Sequence, residues 1–146
     1  SGAVQHGAST LPESAFGKFV ESGCSEVHLA TGFQNIIYDS KHMPSDFKTE
    51  VYEFIKKEFA KEKKDNQTEE QFIYSTRKKG FGSLKKRWWE LPKEVKAGIA
   101  AELEERFGLL FEKLNVVNTK DIVNRSIGKN IIKKGSSGKS VGKNEL

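Results

Sequence analysis

Two of the three histidines open similar short patterns, His6-Gly7-Ala8-Ser9-Thr10 and His28-Leu29-Ala30-Thr31-Gly32. In each, a histidine lies at or near the end of a short strand-like stretch, Ala3–His6 or Glu26–Ala30, and small or hydroxyl residues follow. Small residues let backbone amides approach an anion closely. Ser9 and Thr10 add hydroxyl donors, and a helix beginning near Pro12 would bring the positive end of its dipole. The two loops, side by side, would face one phosphate. On these residues alone a plainer reading stays open: His6 as an ordinary strand-end histidine and the glycines as simple turns.

The elements that must position these loops read as strand, helix, strand. Between the strands, Leu11–Ser22 carries Phe16, Phe19 and Val20 at helical intervals after Pro12, and Gly23 stands where such a helix should stop. The connection is long enough for a parallel crossover. Phosphate sites of this kind lie after the seventh and eighth strands of many (β/α)8 barrels, at the carboxyl ends of the strands. The first strand begins within the first few residues, so a parallel sheet would need neighbours this sequence does not supply. The N-terminus therefore reads as cut from a longer parent.

Val4-Gln5-His6-Gly7-Ala8-Ser9 resembles the His-Gly-Gly/Ala-Ser motif of class II, metal-dependent fructose/tagatose-bisphosphate aldolases. His28-Leu29-Ala30-Thr31 is similar to that family's later Asn-x-Asp/Ala-Thr segment, and the likeness covers residues 4–34. It implies that His6 is a zinc ligand, that Gly7 and Ser9 hold the phosphate, and that Ala30 and Thr31 complete its shell. His28 stands where the family has an asparagine that contacts the substrate's reacting end, and Thr10 replaces a frequent glycine. The implied fold is α/β: the last two strands of a TIM barrel, followed by a mostly helical extension. The implied function is the C-terminal part of a zinc-dependent ketose-bisphosphate aldolase, a lyase of glycolysis and carbohydrate metabolism that cleaves a sugar bisphosphate to dihydroxyacetone phosphate and an aldehyde. The resemblance places two further histidine ligands and the acid/base aspartate on earlier strands. The isolated chain is then expected to be inactive, and the parent to be a homo-oligomer acting on a phosphorylated ketose.

Beyond Tyr38 the periodicity is helical only. Ser45–Lys63 puts Phe47, Val51, Phe54, Ile55 and Phe59 on one stripe, and Thr68–Gln71 offers a capping box before Phe72 and Ile73. Gly80 and Gly82 are expected to break that helix. Pro92 then opens a long helix carrying Val95, Ile99, Leu103, Phe107, Leu110 and Leu114. The organisation reads as barrel-derived units over 1–39, a helical extension over 40–125 and a basic tail over 126–146, flexible from Gly135 onward. His42 is expected to be a surface residue, and Asp39, Asp46 and Asp65 show no paired spacing that would make one a catalytic acid.

Composition limits the alternatives. With 146 residues, 36% of them hydrophobic, the chain can build a core. It has no apolar run of the roughly 18 residues a membrane helix needs. Cys24 is the single cysteine, which excludes an internal disulfide and a cysteine zinc site and fits a structural thiol in a cytoplasmic protein. A net charge of +5 invites a nucleic-acid module built on Lys78, Lys79, Lys85, Lys86 and Arg87 with Trp88 and Trp89. Those cations alternate with acidic and apolar residues at helical spacing, as a solvated face does, so nucleic acid is not the expected partner. The remaining rival is a helical interaction module presenting the Val95–Leu114 stripe and the tryptophan pair.

Overall fold

The computed structural model describes residues 2–127, in two units: 2–116, and a second beginning at Val117 whose described part holds one short helix, Lys120–Ser126. The expected flexible tail from Gly135 lies outside the described residues. Among them, no helix is long and apolar enough to cross a membrane.

The first unit opens with strand β1 (Ala3–Gln5), two 3-10 turns (Ala8–Thr10 and Glu13–Ala15), helix α1 (Phe16–Glu21) and strand β2 (Cys24–Val27). The strands pair in parallel, Val4 opposite Glu26 and Gln5 opposite Val27, with an irregularity between Ala3 and Val4. Gly23, at φ 67°, turns the chain out of α1 into β2, which a side chain would resist. The expected single helix over 11–22 is thus shorter and preceded by 3-10 turns. Phe16, fully buried with Ala8 against Leu110, anchors the crossover.

The rest is helical: α2 (Thr31–Asp39), α3 (Ser45–Glu58), α4 (Glu69–Thr76), α5 (Gly80–Ser83), α6 (Lys85–Trp89) and α7 (Lys93–Lys113). Thr68 caps α4 as its sequence predicts: its hydroxyl accepts from the Gln71 amide at 3.3 Å, while the Gln71 side chain accepts from the Thr68 amide at 3.0 Å. The main core joins Tyr38, Met43, Phe47, Val51, Ile55, Phe72 and Ile99. Within it Tyr38 meets Phe81 and Trp88 at ring separations of 5.1 and 5.5 Å, and Trp88 meets Phe47 at 4.8 Å. Aromatic pairs at such distances add about 0.5–1.5 kcal/mol each beyond the area they bury.

These helices overturn the expected TIM-barrel fragment. The described sheet is two strands of three and four residues, Ala3-Val4-Gln5 and Cys24-Ser25-Glu26-Val27, and neither has the continuous apolar run that barrel strands, covered on both faces, require. The large apolar side chains fall at helical spacing, and helices bury them. Nor is the strand pair set apart from the helices: α2 follows it directly, placing Phe33 on Phe107 of α7, with ring centres 4.6 Å apart, and Tyr38 in the main core. The described residues are mainly helical and carry one parallel strand pair.

Gly80 also departs from expectation. It begins α5 and does not break the chain's helical run. A Cβ there would lie 2.7 Å from Val51 Cγ1 and 3.1 Å from the Tyr38 hydroxyl. Val51 is fully buried and, being β-branched, has little rotamer freedom to retreat. Gly80→Ala is therefore expected to destabilise the protein by about 1–3 kcal/mol through overpacking, despite alanine's better helix propensity. A urea midpoint equal to or above that of the unmodified protein would contradict this close packing.

Candidate functional site

The carboxyl ends of β1 and β2 are held level by the His28 amide, which donates to the Gln5 carbonyl at 2.8 Å. The next residue of each chain segment is a histidine, and the His6 and His28 rings meet edge to face with centres 4.5 Å apart. His28 Nε2 is further engaged by the Glu26 carboxylate, two residues back on the same edge of the strand. Beyond His6 the chain turns at Gly7, whose φ of 69° is left-handed, and enters the Ala8–Thr10 turn. Ala8 is buried beneath, which leaves Ser9 and Thr10 above it; Thr10 Oγ1 donates to the Gly7 carbonyl at 3.4 Å.

The second loop runs straight into α2. Its Ala30 carbonyl accepts the Gln34 amide at 3.2 Å, so Thr31, Gly32 and Phe33 supply the first-turn amides that have no acceptor within the helix. The loops lie close together: a Cβ at Gly32 would be in ordinary van der Waals contact with Ser9, 3.5 Å from its Oγ. His6, Gly7, Ser9, Thr10, His28, Ala30 and Thr31 consequently line one cleft of about 820 Å³. Every residue marked in the sequence for the sugar phosphate is at this cleft, together with His6. The helix dipole expected from the segment after Pro12 comes instead from α2, because the Pro12 segment forms a 3-10 turn and a six-residue helix.

One lining residue comes from outside the two strand-end segments and was not marked in the sequence. Tyr74, on α4, forms the far wall; its hydroxyl accepts from Asn35 Nδ2 at 3.1 Å and its ring lies 4.9 Å from the Arg77 guanidinium. Its neighbours Phe72 and Ile73 carry the stripe that packs α4, and Tyr74 falls off that stripe, which was the only local signal for it.

Among the described residues, the cleft lining contains no lysine or arginine. An anion there would be met by amides, hydroxyls and the two imidazoles. A catalytic zinc takes about three protein ligands, and among the described residues no three His, Cys, Asp or Glu side chains are grouped to hold a metal ion. The resemblance gives this chain one ligand, His6, and places the others on earlier strands, so the described residues hold at most that one ligand of the expected zinc.

The remaining marked residues lie elsewhere. His42 is at the surface, its ring against Gly98 and its Nε2 3.9 Å from Glu102. Asp39 pairs with Arg77 and Lys48, Asp46 sits in the first turn of α3, and Asp65 is exposed. Cys24 is half-buried in β2, with Sγ 3.3 Å from the Ala3 carbonyl. In the basic run, Lys79 pairs with Glu62, Lys86 with Glu90 and Arg87 with Glu50. The hydrogen bond from Arg87 holds the Glu50 carboxyl below its ordinary value.

Comparison with protein families, with curated protein sequences and with solved structures returns no match. The aldolase likeness accordingly rests on the residues of the two loops.

Proposed function

We propose that the cleft at the ends of β1 and β2 binds the phosphate of a small phosphorylated metabolite, with a phosphorylated ketose as the ligand the loop motifs favour. One observation carries this reading: two loops of small and hydroxyl residues and the N-terminus of the nine-residue helix α2 converge on one open cleft. Ser9 and Thr31 donate hydroxyl hydrogen bonds, the first amides of α2 donate backbone ones, and His6 and His28 face the rest of the ligand. The proposal covers the substrate-holding half of an aldolase-type lyase site. Bond cleavage would require a metal centre or acid/base group beyond those the described residues group together.

Isothermal titration with inorganic phosphate, dihydroxyacetone phosphate and unphosphorylated dihydroxyacetone tests the reading. Both phosphates are expected to bind, dihydroxyacetone phosphate more tightly, and the unphosphorylated sugar not at all. Ser9→Ala and Thr31→Ala should each weaken phosphate binding by about 1.5–3 kcal/mol, the worth of a hydrogen bond to a charged group. Because Thr31 is exposed and opens α2, Thr31→Glu should leave the circular dichroism spectrum unchanged and abolish binding by placing a carboxylate where the phosphate sits. Unmodified protein that ignores millimolar phosphate, or Thr31→Glu protein that binds it normally, would end the proposal.

A further inference from the structure

Trp88 and Trp89 are the only tryptophans in the chain, and they do different things. Trp88 is packed in the aromatic core, where its indole Nε1 donates to the Gly80 carbonyl at 3.2 Å. Trp89 is 68% exposed. Between them opens a pocket of about 410 Å³, with a floor of Ile37, Phe81, Trp88, Ile99 and Leu103, which shares no lining residue with the strand-end cleft. That volume lies in the range of small-molecule sites, as does a mainly apolar lining with a few placed polar groups.

The placed groups are two lysines. Lys85 Nζ lies 4.6 Å from the centre of the Trp89 ring, and Lys96 Nζ donates to the Trp89 carbonyl at 2.8 Å, so both ammonium groups are drawn to the same side of the mouth. Neither has a carboxylate within ion-pair distance among the described residues, although Lys79, Lys86 and Arg87 close by all do. A concave apolar floor accepts a hydrocarbon or aromatic body, and two unneutralised cations at one side of its mouth select a negative head. The exposed indole would cover the body once it is seated, removing its own apolar face from water.

We propose that this pocket is a binding site for a small amphiphilic carboxylate: an alkyl chain or fused aromatic body lying on the Trp88 floor, with its carboxylate between Lys85 and Lys96. The assignment is independent of the phosphate cleft, and either can fail without the other.

Both tryptophans sit at the pocket, so their fluorescence is the readout. Decanoate, decan-1-ol and decylamine share one chain length and differ in head group. Decanoate is expected to produce a saturable change below its micelle concentration, with decanol at least tenfold weaker and decylamine weaker still. The double variant Lys85→Met/Lys96→Met should lose at least tenfold in decanoate affinity and keep its affinity for decanol. Three results would each overturn the proposal: no saturable response to decanoate; decylamine binding as tightly as decanoate; or a folded double variant that binds decanoate like the unmodified protein. Binding of an acidic amphipathic helical peptide without any of decanoate would do the same, since it would make the pocket part of a protein interface. The head-group comparison uses the unmodified protein and decides the matter even if the double variant fails to fold.

Discussion

Replacing Tyr38 by alanine is expected to remove about 3–5 kcal/mol of folding stability, the range for deleting a fully buried aromatic side chain. Tyr38 has no exposed surface, touches Phe81 and Trp88, and lies 4.9 Å beneath the Arg77 guanidinium. Its hydroxyl donates to the Arg77 carbonyl at 2.7 Å. Burial pushes this phenol well above its ordinary value, with Arg77 opposing and Tyr52 adding to the shift, so it stays neutral and remains a donor at any ordinary pH. Tyr38→Phe separates ring from hydroxyl. The Arg77 carbonyl also accepts the Gly80 amide, so losing the phenol leaves it partly satisfied and should cost only about 1 kcal/mol. Urea unfolding of both variants checks the division. A phenylalanine variant as damaged as the alanine variant would mean that the hydrogen bond, and not the ring packing, dominates.

Arg77→Ala is the second large effect, expected at about 3 kcal/mol, combining a lost charged hydrogen bond with lost packing of a buried stem. Arg77 is 5% exposed; Nη2 donates to Asn35 Oδ1 at 2.5 Å, Nη1 lies 3.3 Å from Asp39, and the guanidinium plane is flanked by Tyr38 and Tyr74. Lysine cannot reproduce this fork between two rings, so Arg77→Lys should recover less than half of the loss. The variant also has a functional consequence. Asn35 and Arg77 together hold Tyr74 against the strand-end cleft, and freeing it should weaken dihydroxyacetone phosphate binding even though Ser9 and Thr31 are untouched. Unfolding at the same urea concentration as the unmodified protein would refute the structural role. Unchanged ligand affinity in the folded variant would refute the link to the cleft.

What could be read from the sequence was local. The capping box at Thr68 and Gln71, the stop at Gly23, the stripe of α7 and the pairing of the two histidine loops all depend on residues a few positions apart or on one short crossover. The fold class did not follow, because a motif of six residues fixes the shape of a loop and not the number of strands around it. Ala3-Val4-Gln5 reads as a strand in any sheet, large or small. Longer-range packing was equally hidden. Gly80 looks like a helix breaker until Val51 and Tyr38 are seen to leave room for nothing larger, and Gly98 gives no sign that the His42 ring lies against it. Tyr74 reaches the cleft from α4, across a sequence distance that periodicity does not span.

Helix α2 has a further consequence. At 1.5 Å per residue its nine residues span about 13 Å, with Thr31 at the cleft and Tyr38 at the centre of the aromatic core. Unwinding α2 as a whole would undo both ends together, so the helix ties the first-turn amides at the cleft to the packing of the core. Occupancy and global stability are then linked by mass action: a ligand held at one hundred times its dissociation constant adds about 2.7 kcal/mol to unfolding. Hydrogen exchange along the whole helix should slow with it, the Tyr38 amide as well as that of Gln34, because one cooperative unit serves both the binding loop and the hydrophobic centre.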